Sequence, residues 1–169
     1  MKYEAHGLLG KSKKFIQLLQ TIESAARCDV RVLLDGQSGT GKELIAKAIH
    51  HYRSRNHEKF VAVDCGAIPA NLIESELFGH LKGAFTGANF SRKGLLEEAN
   101  GGTFFMDEIN NLPMELQAKL LRVIETGEYE RLGSSKTRRA DVRLISATNA
   151  DPAGEVAVGH FRQDLLFRL

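Results

Sequence analysis

Val30-Arg31-Val32-Leu33-Leu34-Asp35-Gly36-Gln37-Ser38-Gly39-Thr40-Gly41-Lys42-Glu43 is the stretch that decides the fold. An aliphatic β-rich run, a glycine-rich turn and a run of helix formers read as strand, tight loop and helix. In that context Gly36, four residues, Gly41 and Lys42 make a phosphate-binding loop. The glycines let successive backbone N–H groups curl around a β-phosphate with no Cβ in the way. The helix N-terminus adds a positive dipole end, and Lys42 adds a full charge between β- and γ-phosphates. The position after the lysine is ordinarily Ser or Thr, whose hydroxyl holds Mg²⁺. Glu43 stands there, and the metal ligand on that side is left open.

Short apolar strands and amphipathic helices alternate outward from this stretch. Ser12 is a candidate N-cap for a helix with Phe15, Leu18, Leu19, Ile22 and Ala26 on one face. The loop leads into a helix from Gly41 to Tyr52. Phe60-Val61-Ala62-Val63, Thr103-Phe104-Phe105-Met106 and Val142–Ala147 are further strands. Residues 71–78 form a short helix, Pro113 opens another that buries Leu116, Leu120, Val123 and Ile124, and Phe161–Leu169 starts a last one. This alternation predicts an α/β fold with a mostly parallel sheet flanked by helices. Ligands bind beyond the carboxyl ends of such strands. Two segments, 79–94 and 129–139, break the alternation and read as functional excursions. The chain ends inside a helical segment, as a piece of a longer protein would.

Asp107 and Glu108 close the third of these strands, about 65 residues after the phosphate loop. An acidic pair delivered there suits nucleotide hydrolysis. Asp107 would hold Mg²⁺ through water, and Glu108 would orient and deprotonate the attacking water. Thr148-Asn149 ends the fourth strand at the same edge. Asn149 could reach a γ-phosphate or the water, although asparagine also serves as a plain turn former.

Hydrophobic residues are 43% and charged residues 26% of 169, which excludes a disordered chain. A net charge of +2 offers no basic field for a stand-alone DNA-binding module. Cys28 and Cys65 have neither disulfide-framework nor zinc spacing. Apolar runs are too short to span a membrane, and the first residues lack a leader's apolar core. A cytoplasmic protein is expected.

Together these segments resemble the central AAA+ domain of sigma-54-dependent bacterial enhancer-binding activators, a P-loop NTPase of AAA+ type. The most specific element is Glu74-Ser75-Glu76-Leu77-Phe78-Gly79-His80-Leu81-Lys82-Gly83-Ala84-Phe85-Thr86-Gly87-Ala88. Ala99–Thr103 leading into Asp107-Glu108, Arg131-Leu132-Gly133, Ser146–Asn149 and Phe161–Leu169 match as well. The family usually carries glutamate after the loop lysine, so Glu43 fits. The resemblance implies a nucleotide site at Gly36, Gln37, Ser38, Gly39, Thr40, Gly41, Lys42 and Glu43, with ATP and Mg²⁺ bound. It implies catalytic roles for Asp107, Glu108 and Asn149, and arginine fingers at Arg162 and Arg168. Without the family, those two arginines could be solvated helix residues. With regular helical spacing they lie about 120° apart.

Gly83, Ala84, Phe85, Thr86, Gly87 and Ala88 would form the mobile loop that contacts sigma-54. Read alone, this is more readily a turn whose Phe85 folds into the core. Many members have asparagine where Asp64 stands, and that asparagine pairs with the catalytic glutamate as a switch. Asp64 could act so only through a proton or cation, since two carboxylates repel. The resemblance implies a hexameric ring, sigma-54 RNA polymerase as partner, and DNA contact only through a domain outside this chain. A helical lid and that domain would follow Leu169. The competing readings are a sigma-54-binding fragment that does not hydrolyse ATP and a different AAA+ machine.

Overall fold

Two apolar layers on either side of four parallel strands carry the structure, a computed structural model that describes residues 7–52 and 58–169. The opening residues, read above for a leader, lie outside them. In chain order come α1 (Lys13–Arg27), β1 (Val32–Asp35), α2 (Lys42–His51), β2 (Phe60–Asp64), α3 (Ile73–Phe78), β3 (Gly79–His80) and β4 (Arg92–Lys93). Then follow α4 (Leu95–Glu98), β5 (Thr103–Asp107), a 3-10 turn (Ile109–Asn111), α5 (Met114–Thr126), β6 (Glu128–Tyr129), β7 (Arg138–Arg139), β8 (Arg143–Thr148), α6 (Pro152–Ala157) and α7 (Gln163–Leu166).

The main sheet has the order β1-β8-β5-β2, and every pairing is parallel. Successive side chains of a strand point to opposite faces. Phe104, Met106 and Leu144 therefore join one layer, with α3, α4, α5 and α7 residues such as Leu77, Leu96, Leu120 and Leu165. Phe105, Ile145 and Ala147 join the other, with Ile22 of α1 and Ala46, Ala48 and Ile49 of α2. Phe104 and Phe105 are both 1% exposed, and truncating either to alanine would cost about 3–5 kcal/mol. Coverage on both faces explains why Phe104, Phe105 and Met106 run unbroken in β5 and why every residue of β8 is buried.

The expected α/β architecture is present, with local corrections. Ser12 caps α1, its Oγ accepting from Phe15 N at 3.1 Å. β1 begins at Val32 rather than Val30. Pro113 is the extended N-cap of α5 (ψ 144°), not its first helical residue. The segment 161–169 contains one helical turn, Gln163–Leu166, so a regular helix carrying both Arg162 and Arg168 is not formed. Arg162 is its extended N-cap and Arg168 lies past its C-cap, Phe167. The short helices α4 and α6 were not legible as separate elements. No helix of the described residues is long and apolar enough to cross a membrane.

The two excursions are hairpins, β3 with β4 and β6 with β7. They are joined to each other: Leu81 N donates to Leu132 O (3.0 Å) and Leu132 N to Gly79 O (2.9 Å). The register of the main sheet aligns Asp35 with Thr148 and Asp64 with Asp107, which brings all four carboxyl ends to one edge. A cavity of about 630 Å³ opens at the opposite, amino-terminal edge, between Val30, Val142, Ile124 and Phe167. It is remote from the acidic pair.

Candidate functional site

The phosphate loop leaves β1 and enters α2 through two left-handed glycines, Gly39 (φ 79°) and Gly41 (φ 85°). Gly41 is the N-cap of α2, a conformation any other residue type would adopt only with strain. A Cβ on Gly39 would point into open space, so its demand is conformational rather than steric. Lys42 is 7% exposed, and its Nζ donates to Gly36 O (2.8 Å) and Gln37 O (3.1 Å). The ammonium is thereby held inside the curl of the loop. Thr40 Oγ1 donates to Gln37 O (2.7 Å), which closes the turn around Ser38. Glu43 faces outward and pairs with Lys47 at 2.7 Å, one helical turn on.

Asp107 ends β5 half-buried, and its Oδ1 accepts from Glu108 N (2.9 Å). Glu108 has φ 50° and ψ 48°, the one positive φ at a non-glycine among the described residues. Such a backbone costs about 1–2 kcal/mol, and strain of this kind concentrates at functional sites. Here it turns the carboxylate back across the strand ends. Glu108 Oε1 accepts from Asn149 Nδ2 (3.0 Å), and Oε2 accepts from Asn111 Nδ2 (2.9 Å). Thr148 Oγ1 donates to Asn110 Oδ1 (2.9 Å), while Thr148 O accepts from Gly36 N (3.2 Å). One continuous set of hydrogen bonds therefore ties the phosphate loop, the end of β8 and the acidic pair. Asn149 is in that set. Asn110 and Asn111 were missed, although two amides one residue after an acidic pair were the available signal.

Asp64 lies at the neighbouring strand end, but its Oδ1 accepts from Gly66 N (2.9 Å) and Ala67 N (3.3 Å). It closes its own turn, and no hydrogen bond joins it to Glu108. Cys65 between them is buried, and its thiol is pushed up to about 12 by burial and by Asp64, Asp107 and Glu108. It stays protonated and inert.

Residues 83–88 form a tight loop with Gly83 at φ 82° and Gly87 at φ 98°. Gly83 N donates to Ala88 O (2.9 Å) and Ala88 N to Phe85 O (3.0 Å). Phe85 is neither core nor free: it is 37% exposed and lies edge-on against His80, ring centroids 5.1 Å apart. His80 is buried, with Nδ1 2.6 Å from Ser75 Oγ. Thr86 is exposed and Ala88 buried. Beneath the joined hairpins, Glu97 Oε2 accepts from Arg131 Nη2 (2.6 Å) and Tyr129 OH (3.3 Å). Burial alone would raise the Glu97 carboxyl, but the hydrogen bond and charge of Arg131, with Arg138 and Tyr129, hold it below the usual range.

Arg162 and Arg168 are not aimed at this site. Arg162 forks onto Asp164 (Nε–Oδ1 2.9 Å, Nη2–Oδ2 2.7 Å), and Arg168 pairs with Glu125 at 3.2 Å. The Arg162 hydrogen bond lowers the Asp164 carboxyl. The backbone is anchored where the side chain is not: Arg162 N donates to Gln117 Oε1 of fully buried Gln117 (2.9 Å).

The model of the sigma-54 interaction domain matches residues 8–169. The regulatory protein LuxO of Vibrio vulnificus is 52% identical over 163 residues, covering 96% of this chain. The chain spans 36% of that relative's length. NtrX from Brucella abortus, solved in complex with ADP, superposes with a TM-score of 0.88 at 42% identity, over 95% of this chain and 35% of that one. The P-loop NTPase domain of an E. coli sigma-54 activator shares the fold, with a TM-score of 0.62 at 19% identity over 95% and 92% of the two chains. With the strand order and the loop-to-helix junction described above, these matches identify the chain as a member of the sigma-54 interaction domain family, built on a P-loop NTPase fold.

Proposed function

We propose that the chain is the ATP-binding and ATP-hydrolysing module of a bacterial activator that remodels sigma-54 RNA polymerase. The observation that carries this reading is the hydrogen-bonded set linking Gly36, Thr148, Asn149 and Glu108. It sets a carboxylate at the edge of a loop suited to phosphates, where a hydrolytic water would be held. The glycine cradle and the enclosed Lys42 fit a nucleotide triphosphate tail. Asp107, at a strand end and half-buried, fits water-mediated Mg²⁺, which when bound neutralises charge on the β- and γ-phosphates.

Glu108 then accepts the proton of the attacking water through Oε1, after Asn149 turns towards the γ-phosphate. Glu43 points outward and pairs with Lys47, and no metal-binding role is assigned to it. Neither Arg162 nor Arg168 serves its own subunit's phosphates, which fits fingers supplied to a neighbour in a hexameric ring. Residues 83–88 are the output, contacting sigma-54 through Phe85 and Thr86. The chain would be the central domain of a longer cytoplasmic protein, with lid and DNA-binding parts elsewhere.

The test is Lys42→Ala. Loss of that charge should weaken ATP binding at least tenfold while the folded spectrum is kept. Unchanged affinity in an ATP titration would overturn the site.

A further inference from the structure

The rear oxygen of Glu108 has a partner that neither the family match nor the sequence reading assigns. Oε1 meets Asn149, the neighbour of Thr148, whose carbonyl is bonded to the phosphate loop. Oε1 therefore faces the phosphate side. Oε2 faces away, towards Asn111 Nδ2 at 2.9 Å. Asn111 is the last residue of the 3-10 turn that Glu108 itself opens. That turn is tied to β8, because Asn110 within it accepts from Thr148 Oγ1 at 2.9 Å. Its closing bond, Asn111 N to Glu108 O, is 2.9 Å.

The chemistry of position 64 makes this contact consequential. An ionised carboxylate only accepts hydrogen bonds, and Asp64 Oδ1 already accepts two from its own turn. Asp64 thus has no donor to offer Glu108. The two acids flank one glycine as well. A Cβ on Gly66 would sit 2.6 Å from Glu108 Oε2, 2.9 Å from Asn111 Nδ2 and 3.3 Å from Asp64 Oδ1. All three groups crowd one glycine, and Asn111 is the donor among them.

We propose that Asn111 is the positioning residue for Glu108 in this protein, taking over the donor role that Asp64 cannot fill. It holds Oε2 from behind, so that Oε1 alone is released to the water when Asn149 turns away. The inference rests on the ATPase reading, and it predicts a defect in chemistry rather than in binding. A misplacement of about 1 Å can cost up to ~100-fold in rate.

The experiment compares Asn111→Ala, Asn111→Asp and Glu108→Gln in the full-length protein. Asn111→Ala should lower kcat about tenfold with ATP affinity unchanged. Asn111→Asp, the same shape without a donor and with a like charge, should be at least as impaired. Asp64→Asn added to Asn111→Ala should recover part of the loss, because its Oδ1 keeps the Gly66 bond while Nδ2 supplies a donor beside Oε2. Unchanged kcat in Asn111→Ala alongside an inactive Glu108→Gln would overturn the positioning role and leave the ATPase reading standing. Full turnover by Glu108→Gln would instead remove Glu108 from the chemical step, and no ATP turnover by the unmodified protein would overturn the ATPase reading. A second readout is independent of turnover: the side-chain amide resonances of Asn111. They should shift in Glu108→Ala, and insensitivity to that change would refute the contact itself.

Discussion

At the scale of single residues, the two members of the acidic pair stand in different surroundings and should fail differently. Glu108 is held by side-chain amides on both oxygens, on a strained backbone, whereas Asp107 keeps ordinary strand geometry. Glu108→Gln should bind ATP normally and lower turnover at least a hundredfold, as expected when the base is lost. Asp107→Asn should instead raise the Mg²⁺ concentration needed for half-maximal binding. Paired ATP-binding and Mg²⁺ titrations check both, and identical profiles would remove the division of labour. Much of this was legible in the sequence, because Gly36–Lys42 and Asp107-Glu108 are local patterns whose meaning depends only on the flanking strands. Asn111 and the turning away of Asp64 were not legible. They depend on a left-handed residue at 108 and on crowding around Gly66, neither of which leaves a periodic trace.

At the scale of elements, the proposed contact loop sits on the joined hairpins. Phe85 rests on His80, His80 shares a backbone bridge with Leu132, and Arg131 beside it is clamped by Glu97 at the start of the layer under β5. Phe85→Ala or Thr86→Ala should leave ATP turnover within about twofold of normal, since neither contacts the phosphate loop. Both should reduce capture of sigma-54 in the presence of a transition-state analogue, and undiminished capture would exclude the loop as the contact. Glu97→Ala leaves the buried Arg131 uncompensated and should cost about 3 kcal/mol in denaturant unfolding. The lowered Glu97 carboxyl also sets a sign for pH. Its contribution is present above the ordinary glutamate range and is lost as pH falls through the folded value. In Glu97→Gln, the steepness of acid unfolding in that window should diminish. The excursions were visible in the sequence as breaks in alternation. Their mutual pairing was not, because two-residue strands carry too little pattern to register.

At the scale of the whole molecule, the sheet gathers every catalytic candidate except Arg162 and Arg168 onto one edge. Those two flank a single turn of helix and pair with Asp164 and Glu125, so each must leave its own carboxylate to reach a neighbour's phosphates. An arginine supplied from another subunit is worth roughly 10³–10⁵ in rate in other nucleotide hydrolases. Mixing Arg162→Ala with Lys42→Ala chains should therefore restore turnover that neither has alone, through interfaces pairing an intact loop with an intact arginine. The most direct test of an ATPase assembled between subunits is specific ATP turnover of the full-length protein, measured across a wide range of protein concentration. Turnover per chain should rise with concentration to a plateau; a flat profile, active or inactive throughout, would contradict it.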